Sequence, residues 1–190
     1  RAPSLEEQSK GPPVNPVEMG MRDLDAVIDR IRHIPGYRSY FEQAFGPGDV
    51  VTMDNAARAI AVYERTLITP GSAYDRYARG DKTALTPQQV RGMETFAEAG
   101  CTSCHQGPAF NGPPLPAGTG FFMKFPTYPE SPYVAKYKLA EDPGRFSATK
   151  DEADRGMWRV PTLLNLTYTA PYMHTGTVKT LPEAVRVMAS

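Results

Sequence analysis

The run Cys101-Thr102-Ser103-Cys104-His105 constrains this chain more than any other feature. Two thiols two residues apart share one helical turn, and a histidine follows at once. That spacing lets both sulfurs add to the two vinyl groups of a haem while the imidazole faces the iron as proximal ligand. The chain holds two cysteines, both in this run, so no thiol is left over. A zinc site would need a second Cys/His pair, and the other histidines, His33 and His174, stand isolated in the sequence. A redox CxxC would sit at a strand-to-helix junction of a βαβ pattern, which is not seen here. One covalent haem c is therefore the expected cofactor, with Cys101 and Cys104 as its attachment points and His105 as an axial ligand.

Such thiols are loaded with haem outside the cytoplasm, so a bacterial periplasmic location is expected. The opening residues, Arg1-Ala2-Pro3-Ser4-Leu5, contain neither an initiator Met nor an apolar signal segment, which reads as prior processing or truncation. No apolar run approaches the ~20 residues that span a bilayer, so membrane insertion is not expected. Lys plus Arg and Asp plus Glu are balanced at 21 each, leaving no net field for nucleic acid or an anionic surface.

Helical periodicity dominates. Residues 1–19 are rich in proline, and Gly11-Pro12-Pro13 with Asn15-Pro16 argue against regular helix there. Met21, Leu24, Val27, Ile28 and Ile31 recur at three and four residues, which predicts a helix ended by Pro35-Gly36. A short helix over 37–45 and a longer one from an N-cap at Thr52 through Ile68 follow. Thr86-Pro87-Gln88-Gln89 reads as a capping box opening a helix that carries Val90, Met93, Phe96 and Ala97 inward and delivers Cys101. Residues 106–155 show little periodicity and many Gly, Pro and aromatics, as expected of a long loop wrapping a haem. Thr180-Leu181-Pro182-Glu183 is a second capping box, opening a helix that the sequence leaves at Ser190, which suggests a chain that continues. No strand alternation is long enough to predict a sheet. The fold class is all-α, cytochrome c-like, with long irregular loops around the haem.

The second axial ligand decides whether such a haem reacts with small molecules or carries electrons. Met188 stands well downstream of the haem motif, on a capped helix that follows a loop able to fold back over the distal face. Met123 is its rival, and His174 would give a bis-histidine haem. The residues leave these alternatives open.

The segments Val160-Pro161-Thr162-Leu163-Leu164-Asn165, Thr169-Ala170-Pro171-Tyr172-Met173-His174-Thr175-Gly176 and Leu181 to Met188 resemble the C-terminal domain of bacterial di-haem cytochrome c peroxidases, the CCP/MauG family. Leu5 to Gln8, Asn15 to Gly20, Thr66 to Pro70 and Asp75-Arg76-Tyr77 resemble that family as well. The resemblance covers essentially the whole chain. It implies an enzyme, part of a longer protein, that reduces hydrogen peroxide to water with electrons from a small cytochrome c or cupredoxin. It implies Met188 as the axial partner of His105 on the electron-transfer haem, where MauG-type relatives carry Tyr. It also implies Gln8 and Glu18 as pocket residues: an amide can orient peroxide, and a carboxylate can relay a proton between its two oxygens. Further implications are calcium held partly by the backbone carbonyls of Thr169 and Pro171, His174 beside the haem, and a homodimer. The family has two CxxCH motifs and this chain has one, so residues 1–80 read as the remainder of an N-terminal peroxidatic haem domain and 81–190 as the C-terminal cytochrome c domain. The alternatives are a mono-haem electron carrier without catalysis and a MauG-like oxidase.

Overall fold

The computed structural model describes residues 2–116 and 119–190. The chain separates into two compact units, one formed mainly by the residues up to Ala84 and the other by Leu85–Leu115 with Gly120–Ser190.

The first unit contains α1 (Leu5–Ser9), α2 (Gly11–Val14), α3 (Leu24–Arg32), α4 (Tyr37–Phe45), α5 (Met53–Thr66) and α6 (Ala73–Ala78). Two short helices thus occupy a stretch where the prolines argue against them. The reason is local: Ser4 caps α1 by accepting from the Glu7 N–H, and Pro12 and Pro13 fall in the first turn of α2, where a helix needs no N–H. The periodic helix begins at Leu24 rather than Met21 because the Asp23 carboxylate caps it, accepting from Ala26 N–H at 2.8 Å. Thr52 caps α5 as its sequence predicts. Ile28, Phe41, Val51 and Ala56 form the buried core, with Ile31, Phe45, Val50 and Met53 packed around it. Ala57 and Ala61 are fully buried on α5, and small side chains there suit the close approach of α1, the element that packs most extensively on α5.

The second unit holds α7 (Pro87–Glu98), β1 (Phe122–Lys124), α8 (Pro132–Lys136), α9 (Phe146–Thr149), β2 (Met157–Arg159) and α10 (Leu181–Ala189). The capping box at Thr86 is complete: Gln89 N–H donates to Thr86 Oγ1 at 3.2 Å, and Thr86 N–H donates to Gln89 Oε1 at 2.9 Å. The all-α expectation needs one amendment. β1 and β2 pair antiparallel, with Phe122 opposite Arg159, Met123 opposite Trp158 and Lys124 opposite Met157. Strands of three residues carry no readable alternation, and their pairing spans more than thirty residues of sequence, so no local signal announces it. The stretch 106–155 is likewise broken by α8 and α9 rather than being one continuous loop.

Leu139, Val178, Ala184 and Val187 make the buried core of this unit, with Phe125, Tyr133, Val134, Tyr137, Tyr172 and Met173 around it. Ala184 and Val187 sit three residues apart and lay one face of α10 on that cluster. Glu183 departs from the expected capping box. Its backbone N–H donates to Thr180 Oγ1, but its carboxylate turns to accept from Tyr137 Oη at 2.7 Å and Thr180 Oγ1 at 3.2 Å, which ties α10 to the end of α8. Truncation of Leu139 to alanine removes buried methyls that the surrounding segments cannot readily replace; chemical denaturation of the variant is expected to show a loss of about 2–5 kcal/mol.

Candidate haem and peroxide sites

α7 ends at Glu98, Gly100 turns left-handed, and Cys101–Ser103 form one 3-10 turn. His105 N–H donates to the Cys101 carbonyl at 2.9 Å, which closes the motif on itself. Both cysteines are free and half-buried. The His105 ring is oriented by a second bond: Nδ1 lies 2.8 Å from the Phe110 carbonyl. A carbonyl can only accept, so Nδ1 carries the proton and Nε2 keeps the lone pair that a metal needs. Phe96 of α7 backs this arrangement, with its ring centroid 6.5 Å from both the His105 and Phe110 rings. Two thiols in one turn, beside an imidazole with its tautomer set, form a donor set that fits covalent haem c.

The loop that supplies the Phe110 carbonyl is held from outside. Thr162 Oγ1 donates to the Ala109 carbonyl at 2.7 Å, Leu163 N–H donates to the same oxygen at 3.3 Å, and Val160 N–H donates to Phe121 at 2.8 Å. The Val160-Pro161-Thr162-Leu163 motif therefore braces the haem-motif loop. Gly112 permits the approach: its φ is +113°, and a Cβ there would stand 2.5 Å from the Phe121 ring.

The predicted inward face of α7 is only partly so. Val90 and Phe96 are half-buried, whereas Met93 and Ala97 are exposed. On α10, Met188 lies one residue beyond buried Val187 and is 39% exposed. With Leu181 and Val185 it follows i, i+4, i+7 spacing and forms an apolar stripe beside the buried face. Met123, the rival ligand, stands in β1 opposite Trp158.

His174 is held rather than free. Its Nδ1 lies 2.6 Å from Asp142 Oδ2, and its ring centroid is 4.7 Å from that of Trp158. Burial is the strongest single influence on Asp142 and opposes its ionisation. The donors His174 Nδ1–H and Gly144 N–H together outweigh burial, so the carboxyl lies below the ordinary aspartate range. Asp142 carries no sequence signal for this role, since 32 residues separate it from His174. Thr169 and Pro171 are exposed around the turn after 166–168. Calcium takes six to eight oxygens, and two carbonyls alone do not make that site. Among the described residues no group of three or more His, Cys, Asp or Glu is arranged to hold a metal ion.

In the first unit, Gln8 is exposed on α1 and Glu18 is exposed in the turn after α2, where Asn15 Nδ2 donates to its Oε1 at 3.1 Å. Gln8 is flanked by two ion pairs that the sequence does not announce. Glu6 Oε1 meets Arg65 at 2.9 Å, and Lys10 Nζ meets Asp54 at 2.9 Å, so α1 is strapped to α5 on either side of the amide.

The first 83 residues match the family model described as di-haem cytochrome c peroxidase. The chain is 39% identical over 189 residues to the cytochrome c551 peroxidase of Nitrosomonas europaea, covering 99% of this chain and 52% of that protein. It is 37% identical over 189 residues to the cytochrome c peroxidase Ccp of Escherichia coli, covering 99% of this chain and 38% of that one. Over nearly its whole length the chain is thus similar to proteins of the di-haem cytochrome c peroxidase family, CCP/MauG. That similarity agrees with the haem c donor set at Cys101–His105. The chain spans about half the length, or less, of these curated relatives. Among solved structures it is similar to a MauG-like protein associated with microbial copper homeostasis, with a TM-score of 0.78 at 29% identity, covering 96% of this chain and 55% of that one. Among the described residues no helix is long and apolar enough to cross a membrane.

The strap at Glu6 makes a pH prediction. The hydrogen bond from Arg65 is the main influence holding its carboxyl well below the usual range, at about 2. A carboxylate whose pKa is lowered by folding stabilises the fold fully above its unfolded value and loses that contribution as pH falls toward the folded value. Between the ordinary glutamate range and about pH 2, Glu6→Gln is expected to flatten the fall in unfolding midpoint seen for the natural sequence, measured by denaturation across pH.

Proposed function

We propose that this chain is the part of a periplasmic di-haem cytochrome c peroxidase that carries the electron-transfer haem. The whole protein reduces hydrogen peroxide to water with two electrons delivered singly by a small cytochrome c or cupredoxin. The observation that carries this reading is the closed Cys101–His105 turn with His105 Nδ1 bound to Phe110, in a chain related over nearly its whole length to proteins named as peroxidases.

In this reading Cys101 and Cys104 would hold haem c covalently, and His105 and Met188 would bind its iron. When bound, the group supplies reversible one-electron transfer at a potential raised by a thioether ligand. Residues 1–80 belong to the peroxidatic domain and 81–190 to the cytochrome c domain. The second haem, the remaining calcium ligands beside Thr169 and Pro171, and the dimer partner come from outside this chain. His174 lies beside the haem.

The residues of the first unit supply the peroxide chemistry. The Gln8 amide orients the substrate by donating and accepting hydrogen bonds, and the straps at Glu6 and Lys10 limit how far its helix can shift. Glu18 moves a proton between the two peroxide oxygens so that one can leave as water. Asn15 holds one of its carboxylate oxygens, which limits its rotation.

Similarity to a MauG-like protein supports a second reading, an oxidase acting on a protein substrate. Methionine rather than tyrosine at 188 favours the peroxidase. A mono-haem carrier without catalysis is the third.

The test begins with haem counted per mass-verified polypeptide. Two haems in the whole protein, one of them on Cys101 and Cys104, are expected, and a single haem with no peroxide turnover would leave only the carrier. In the whole enzyme, Glu18→Gln is expected to lower peroxide turnover by roughly 100- to 10,000-fold, the span for removing a general acid–base, with haem content unchanged. Unchanged turnover would exclude Glu18 from proton transfer.

A further inference from the structure

The buried face of α10 is gripped by two segments far apart in sequence. Leu139, just before the Asp142 turn, shares a buried cluster with Ala184 and Val187. Val178 belongs to the same cluster, Tyr172 and Met173 pack against it, and Tyr172 N–H donates to the Val178 carbonyl at 2.7 Å, which folds that loop onto itself. The two gripping segments are joined by one side-chain bond, from His174 Nδ1 to Asp142 Oδ2.

An ion pair between two exposed, mobile side chains contributes little, because both must be ordered against a high dielectric. This pair differs at Asp142: the His174 side chain is 69% exposed, but the Asp142 side chain is only 18% exposed, and its second oxygen is engaged by Gly144 N–H at 3.0 Å. The turn behind it is tight: Gly144 has φ +63°, and a Cβ there would stand 2.7 Å from the Met157 carbonyl and 2.8 Å from the Trp158 ring. On the other side, the His174 ring rests against Trp158. Both partners are therefore held before they meet, and the bond loses little to ordering. The ends of α10 have their own ties, Tyr137 to Glu183 near its start and Ser131 to Ser190 after its end. The Asp142–His174 bond joins the two segments whose apolar residues pack with Ala184 and Val187, the latter one residue before Met188.

We infer that Asp142 is a positioning residue, acting through His174 to set the rotation of α10 and hence the placement of the Met188 thioether. The inference rests on the reading of Met188 as axial ligand. A ligand of this kind functions within about half an ångström of its productive place, so a small rotation of its helix is enough to release it.

The test uses the whole holoprotein. In the ferric state, a methionine–iron bond gives a charge-transfer band at the red end of the visible spectrum, and added imidazole competes for the same position. D142A is expected to weaken the band and raise imidazole affinity by about tenfold, the effect of one charge-assisted hydrogen bond. It is also expected to speed amide exchange along α10 without changing α7. D142N retains an oxygen acceptor for Nδ1–H and restores all three. If D142A does not accumulate, H174F keeps a ring against Trp158, lacks the donor, and carries the same expectation.

A band and imidazole affinity unchanged in D142A or H174F overturn the inference, even if the thermal midpoint falls. M188A separates the two readings. A band lost in M188A but intact in D142A removes the inference alone, whereas a band that persists in M188A removes Met188 as ligand and the inference with it.

Discussion

The hydrogen bond from His105 to the Phe110 carbonyl is the constraint around which the second unit is organised. It sets the imidazole tautomer, and it requires the chain to return to within one bond of the motif five residues after leaving it. That return is possible because the loop carries glycines where backbone must pass close to side chains, as at Gly112 against Phe121. The loop would wander without its brace, and Thr162 and Leu163 supply one by donating together to Ala109. The motif is thus a local device stabilised by a segment more than fifty residues away.

The two units use different means to hold short helices. In the first, α1 has five residues, too few to persist alone. It stays helical because Ser4 caps it and because it packs on α5, with an ion pair on either side. In the second, α10 is held by a small aliphatic cluster and by polar ties at its start and end. Glu183 illustrates this: one carboxylate oxygen stays on the Thr180 hydroxyl at the cap, and the other accepts from Tyr137, which adds a bond between elements. Each unit also leaves large apolar side chains in the open, among them Tyr63 and Leu67 on or after α5 and Val185 on α10.

Much of this is legible in the residue order. The haem motif, the caps at Thr52 and Thr86, and the helices over 37–45 and 87–98 follow from rules that act within four residues. Where such rules mislead, a neighbouring residue overrides them. Pro12 and Pro13 break a helix in its interior but are tolerated in its first turn. Met21 fits the periodicity of α3, yet Asp23 caps the helix after it. The paired strands 122–124 and 157–159 are too short to show a period at all. Of the candidate site residues, Cys101, Cys104 and His105 are marked by their spacing, and Met188 is one of three candidates by its place on a capped helix downstream; Gln8 and Glu18 are marked only by family resemblance, since an exposed glutamine or glutamate is locally unremarkable.

What the sequence determined by itself is the donor set and the helical pieces: two thiols and an imidazole on one turn, and the segments that cap and periodicity make helical. What only the tertiary structure decided is how those groups are held. The partner of His105 Nδ1, the partner of His174 across 32 residues, and the ion pairs that fasten α1 on either side of Gln8 all join residues with no common local pattern. Spacing along a chain specifies which atoms share a turn. Orientation of a ring or an amide depends on acceptors that reach it only after distant segments have packed.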